Sequence, residues 1–268
     1  MNRFQGKLLV CDMDGTLLNS NREVSPENKA ALFDFVKRGG YFSVATGRDE
    51  VSVGRFLADL PINLPVIVYN GAAIYDYSVK SIVWSKYLDS GIYPIVVELM
   101  SAFPDSGVEI YHGSRIFVLK ENEATRAQIQ RDYFIPCYAP VDKIDFPWKK
   151  IILAWDPEKL NDVEAFLRSR QIPYRFFYSQ PDFIEILHPE ASKGHALREL
   201  AALYGITRES IITMGDNMND LEMLQYAATG IAVSNAHPRL IAAADICCGH
   251  HDDSAVAEVI RWLENGTV

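Results

Sequence analysis

Short apolar runs, each followed at once by oxygen-rich residues, set the strongest limit on how this chain folds. Residues 7–11 form a run that ends at Asp12-Met13-Asp14-Gly15-Thr16, and residues 41–45 form one that ends at Thr46-Gly47-Arg48. A third, residues 210–214, ends at Gly215-Asp216-Asn217-Met218-Asn219-Asp220. Apolar runs of this length bounded by turn residues read as buried strands. Between them lie amphipathic stretches. Ser25 stands as a cap before Pro26 at the first helical position, Leu32, Phe35 and Val36 supply an apolar stripe, and Gly39-Gly40 ends the helix. A second helix is expected over residues 50–58 and a third strand over 66–69. Strand and helix in alternation predict an α/β fold, a parallel sheet with helices on both faces.

The alternation returns at the other end. Ser192 caps a helix striped by Leu197, Leu200, Ala201 and Tyr204 and terminated by Gly205. Helices are expected over 220–227, 237–243 and 253–263, with a strand over 230–233. The middle reads differently. Paired alternating runs at 108–111 and 115–119, and at 173–178 and 183–187, signal hairpins, residues 149–155 a further strand, and Asp156-Pro157-Glu158 the start of a helix. An α+β domain (84–188) inserted into an α/β domain (1–83 and 189–268) follows from this pattern.

The net charge of −9 argues against nucleic acid as a partner, while a small phosphorylated substrate needs only a local positive pocket. The apolar run before Asp12 is too short for a secretory segment, and no run reaches the roughly 20 residues of a membrane span. Cys11, Cys137, Cys247 and Cys248 lack metal-ligand spacing and read as reduced thiols, most of them core fillers, of a cytoplasmic protein.

Chemistry concentrates at the strand ends, where open parallel sheets bind ligands. Asp12 and Asp14, two residues apart, can lie on one side of the backbone, and a bound cation keeps such a pair ionised. Asp14-Gly15 is equally a common turn signal. Thr46-Gly47-Arg48 suits a phosphate cradle or a plain helix cap, and Arg48 a substrate contact or a surface position. Lys193 at a helix start opposes the macrodipole; a phosphate or a carboxylate cluster offsets that cost, and solvent merely tolerates it. Asp216 and Asp220 add two carboxylates at another strand end.

Taken in order, DMDGTLL, ATGR, the strand ending VYNGA at Asn70, IEILHPEASKG before Lys193, GDNMNDLEML and TGIAVSNAHPRLIAAAD resemble the haloacid dehalogenase-like hydrolase superfamily. More narrowly, they resemble the Cof-type sugar-phosphate phosphatases. The resemblance implies a doubly wound, Rossmann-like core with a specificity-setting cap inserted after the third core strand. It also implies a Mg²⁺-dependent phosphatase acting on sugar phosphates or similar phosphomonoesters. Asp12 would be the nucleophile and Asp14 the acid and base, with protonation of Asp14 favoured by partial burial beside other carboxylates. Mg²⁺ would be held by Asp12, the Asp14 carbonyl and Asp216. Met13, Thr46, Gly47, Lys193 and Asn219 would bind phosphate, with Thr16 and Asp220 in support and Arg48 and Asn70 as substrate contacts.

One stretch departs from the family pattern. An Asn-rich loop ending in Asp-Gly is replaced by Gly249-His250-His251-Asp252-Asp253-Ser254, read as a loop with solvated imidazoles, a metal site being the alternative. In the insert, Tyr111, His112, Arg115, Trp148, Tyr178 and His188 are candidate substrate contacts or core residues. A phosphomutase or phosphotransferase on the same core stays open. So does, from another class, a non-hydrolytic phosphoacceptor or binding protein.

Overall fold

The computed structural model describes residues 4–56, 58–132 and 134–268. The chain forms two compact units, Met1–Ser85 with Ser192–Val268, and Lys86–Ala191. The first unit opens with β1 (Leu8–Cys11), buried at every residue. Ser25 Oγ accepts the Asn28 N–H (3.2 Å) and Pro26 fills the first turn of α1 (Pro26–Lys37), which returns the chain to β2 (Tyr41–Val44). α2 (Glu50–Gly54) is shorter than the expected 50–58. Val53 is its one buried side chain, too little apolar surface to hold further turns, and Leu57 lies outside the described residues. β3 (Val66–Val68) stops one residue early because Tyr69 and Asn70 turn left-handed, at φ 53° and 55°. A hairpin that the periodicity does not announce, β4 (Ala73–Asp76) and β5 (Ser81–Ser85), then pairs antiparallel in the order β3-β4-β5.

The second unit contains α3 (Tyr93–Ala102), β6 (Gly107–His112), β7 (Arg115–Lys120), α4 (Glu123–Asp132), β8 (Lys150–Ala154), α5 (Pro157–Ser169), β9 (Arg175–Gln180) and β10 (Phe183–Leu187). Its antiparallel sheet runs β7-β6-β8-β10-β9. Alternation puts Val108, Ile110, Ile151, Leu153, Ile184 and Ile186 into one core with Leu99, Val163 and Leu167 of the helices. The buried pair Lys150–Glu185 (3.2 Å) comes from the opposite parity of β8 and β10.

The chain re-enters the first unit through α6 (Lys193–Tyr204), β11 (Ile211–Gly215), α7 (Leu221–Tyr226), β12 (Thr229–Ala232), α8 (Pro238–Ile241), β13 (Ile246–Cys247) and α9 (Ala255–Asn265). Ser192 Oγ accepts the His195 N–H (3.0 Å) at the start of α6, and Gly205 ends it at φ 63°. The parallel order β13-β12-β11-β1-β2 extends to β3 through an Ala45–Ile67 bridge. Every carboxyl end of this sheet therefore meets one edge. Among the described residues no helix is long and apolar enough to cross a membrane. Cys11 and Cys248 are buried, Cys137 is half-buried, and Cys247 is exposed rather than a core filler.

Candidate active site

Backbone bonds hold three strand ends level. The Asp12 N–H donates to the Met214 carbonyl (2.9 Å) and the Ala45 N–H to the Cys11 carbonyl (2.9 Å). Asp12 thus emerges between β11 and β2, only 5% exposed. Lys193, wholly enclosed at the start of α6, donates from Nζ to Asp12 Oδ1 (2.5 Å) and Asp220 Oδ1 (2.6 Å). These carboxylates offset the cost of a cation at a helix N-terminus. Asp220 Oδ2 accepts the N–H groups of Asp216 (3.0 Å) and Asn217 (3.1 Å), so both Asp220 oxygens are committed to orienting the site. Thr16 Oγ1 donates to Asp216 Oδ1 (3.2 Å).

One ammonium faces a surplus of carboxylate. Burial holds the Asp12 carboxyl well above its ordinary range; Lys193 opposes this, while Asp220, Asp216 and Asp14 add to it. Burial also lifts Asp216, with help from Asp220, to about 6. Burial disfavours the Lys193 ammonium, yet Asp12 and Asp220 outweigh it and the net shift is upward. The arrangement is short of positive charge. Carboxylate oxygens of Asp12, Asp216 and Asp220 lie within 4.8 Å of one another, an all-oxygen donor set that suits a hard divalent cation.

The other strand ends close in beside them. Thr46 is buried, its Oγ1 accepting the Arg48 N–H (3.2 Å) and its carbonyl the Asn70 N–H (2.9 Å). Gly47 lies against the Asn70 side-chain amide, and Asn219 Nδ2 donates to Asn70 Oδ1 (3.0 Å). Asn219 Oδ1 is buried without a hydrogen-bond partner. Gly71 adopts φ +90°, and a Cβ there would sit 2.1 Å from the Ser192 carbonyl, so glycine is what lets this turn touch the start of α6. The Met13 side chain is fully buried and its carbonyl accepts the Leu18 N–H (2.9 Å), which fixes the loop after β1.

Asp14 departs from expectation. Its side chain is half exposed and lies in the fork of Arg48, which donates from Nε (2.7 Å) and Nη2 (2.6 Å). Arg48, expected at the substrate, is here the partner of the acid–base candidate. Two further residues join the site that the strand-end signals do not reveal. Asn235 Nδ2 donates to the Gly15 carbonyl (2.8 Å), and Asn235 Oδ1 accepts the His251 N–H (3.1 Å). His251 is bonded at Nδ1 to the Leu18 carbonyl (2.7 Å), so it is anchored rather than solvated.

In the second unit Trp148 is wholly buried in the core, and Tyr178 packs against that core. Tyr111 is buried, its hydroxyl donating to Glu109 Oε2 (3.3 Å). His112 Nδ1 meets the Pro147 carbonyl (2.9 Å), His188 Nδ1 accepts the Glu190 N–H (3.1 Å), and Arg115 is exposed.

Residues 9–260 match the model of a haloacid dehalogenase-like hydrolase. The chain belongs to that family. A putative phosphatase, YxeH, of Bacillus subtilis (strain 168) is 32% identical, over 96% of this chain and 98% of its own. The 5-amino-6-(5-phospho-D-ribitylamino)uracil phosphatase YwtE of the same organism is 30% identical, over 97% and 99%. The crystal structure of a haloacid dehalogenase-like hydrolase from Bacteroides thetaiotaomicron superposes with a TM-score of 0.85 at 28% identity, covering 95% of this chain and 98% of that one. Within the family the chain is a phosphatase of the Cof type, with a parallel core sheet and separate antiparallel sheets.

Proposed function

We propose that this phosphatase hydrolyses small phosphomonoesters, sugar phosphates or similar compounds, with Mg²⁺ as cofactor and Asp12 as the phosphoryl acceptor. The observation that supports the reading is the cluster of Asp12, Asp216 and Asp220, with the buried Lys193 ammonium paired to Asp12 and Asp220. Asp12 and Asp216, with the Asp14 carbonyl, would hold the magnesium, which supplies charge neutralisation at the phosphoryl oxygens. Asp220 orients the set through the bonds it already makes.

The chain's own groups then divide the work. An Asp12 oxygen attacks phosphorus, and the ester oxygen leaves with a proton from Asp14. Asp14 next takes a proton from water as that water attacks phosphorus, which releases inorganic phosphate and restores Asp12. Lys193 lowers the repulsion between Asp12 and the phosphate dianion. The Met13 and Gly47 backbone, Thr46 and Asn219 orient the phosphoryl oxygens, and Thr16 steadies Asp216. Arg48 holds Asp14 in place and, with Asn70, meets the substrate. The insert serves as the specificity module. A phosphorylated polyol on an aminopyrimidine, the compound named for YwtE, is one candidate within this class.

The test is phosphate release from p-nitrophenyl phosphate and a panel of sugar, ribityl and pyridoxal phosphates, with and without Mg²⁺, in wild type and Asp12→Asn. Metal-dependent release that disappears in the variant supports the reading. Phosphate transfer to an added alcohol without hydrolysis would replace it with a phosphotransferase.

A further inference from the structure

The turn before α9 brings three potential metal ligands together. His250, His251 and Asp252 each offer an atom within 4.8 Å of the others. His250 Nδ1 lies 3.6 Å, and His251 Nε2 3.9 Å, from Asp252 Oδ2. Ligands around a tetrahedral zinc with bonds near 2.0–2.1 Å stand about 3.4 Å apart. The two histidine–carboxylate separations are close to that spacing.

The surroundings prepare these atoms further. A carbonyl only accepts, so the contact from His251 Nδ1 to Leu18 O (2.7 Å) places the proton on Nδ1 and the lone pair on Nε2. Support of a ring by a carbonyl behind it is the usual outer partner of a metal-bound histidine. Asp252 is steadied likewise, Oδ1 accepting the Ser20 N–H (2.7 Å) and Oδ2 the Ser20 hydroxyl (2.8 Å). His250 Nδ1 accepts the Asp252 N–H at 3.2 Å, a bond that a metal would replace. The neighbouring thiol of Cys247 turns away to the Cys248 carbonyl (3.6 Å).

We infer that His250, His251 and Asp252 form a second metal site, separate from the Asp12 group, for a borderline divalent ion such as Zn²⁺, Co²⁺ or Ni²⁺. Two imidazole nitrogens and one carboxylate oxygen favour these ions over Mg²⁺, which prefers oxygen throughout. Water completes the coordination. Because Leu18 and Ser20 continue from the turn that carries Asp14, and His251 bonds Asn235, which bonds Gly15, an ion here fastens the loop after β1.

The test uses the full chain saturated with Mg²⁺ and titrated with Zn²⁺ against a chromogenic chelator, with Co²⁺ absorption as a second readout. One equivalent of Zn²⁺ binds wild type and also Asp12→Asn, which separates this site from the active site. The Co²⁺ spectrum shows intense visible bands without thiolate charge transfer. His250→Ala and His251→Ala each weaken binding by at least about a hundredfold, and Ser20→Ala, which removes an outer partner, by about tenfold or more. His250→Ala leaves the Leu18 bond in place and guards against misreading a folding defect, checked by circular dichroism. No zinc bound in the presence of Mg²⁺, or binding undiminished in folded His250→Ala, would overturn the assignment.

Discussion

Replacing Lys193 with methionine keeps most of the side-chain length and removes the charge that two buried carboxylates face. Asp12 is 5% exposed and Asp220 fully enclosed, with Lys193 Nζ 2.5 and 2.6 Å from their oxygens. Removing one partner of a buried ion pair costs about 3–5 kcal/mol, because the charge left behind has neither water nor a counter-ion. For a chain of this size that corresponds to a melting temperature lower by roughly 10 °C. The assay is calorimetry in EDTA and again in millimolar Mg²⁺. In EDTA the full loss is expected; with Mg²⁺ much of it returns, since a cation again sits among the carboxylates. Adding Asp220→Asn to Lys193→Met should also recover stability, because the amide oxygen still accepts the Asp216 and Asn217 N–H groups while one charge is gone. Turnover in Lys193→Met falls about 10²–10³-fold, the usual effect of losing one donor to developing charge. A melting temperature in EDTA within about 1 °C of wild type would mean that the two carboxylates do not depend on Lys193.

Asp216 predicts a pH dependence with a definite sign. Its carboxyl is raised in the folded, metal-free protein from 3.8 to about 6, so between those values the folded state keeps a proton that the unfolded state has lost. Stability in EDTA, relative to Asp216→Asn, is therefore greatest at low pH and falls as pH rises through about 6, by up to about 3 kcal/mol. Mg²⁺ binding runs the other way, tightening as pH rises to 6, and calorimetry at several pH values reads both trends. Asp14→Asn should slow alkyl phosphates by about 10²–10⁴-fold and p-nitrophenyl phosphate much less, because nitrophenolate leaves without a proton; steady-state kinetics on both substrates decide this. Gly71→Ala forces a Cβ to 2.1 Å from the Ser192 carbonyl at φ +90° and should cost more than about 3 kcal/mol in urea denaturation, displacing Lys193 with it.

Much of the parallel sheet was legible because the signals are local. A buried strand and the polar residue that ends it are neighbours in sequence, so Asp12, Thr46 and Asp216 could be placed at strand ends from pattern alone. Ser192 and Gly205 likewise mark the ends of α6 with their own side chain or backbone. The β4–β5 hairpin gives only a weak apolar signal, because β5 alternates between half-buried and exposed residues. The left-handed pair Tyr69 and Asn70 is not a glycine signature, and it cut β3 short. At the site, what escaped were contacts between distant residues. Nothing near Asp14 announces the fork of Arg48, and nothing near Gly15 announces Asn235. His251 reads from the sequence as a solvated loop residue because its partner, the Leu18 carbonyl, carries no side-chain signal.

In the proposed mechanism Asp12 is the group that becomes phosphorylated. The direct measurement is acid quench of the Mg²⁺-loaded enzyme during turnover of a labelled phosphomonoester, followed by peptide mapping of the bound phosphate. A hydroxylamine-labile phosphate is expected on the peptide containing Asp12, absent from Asp12→Asn together with phosphate release. Label on another residue, or undiminished phosphate release by folded Asp12→Asn, would contradict it.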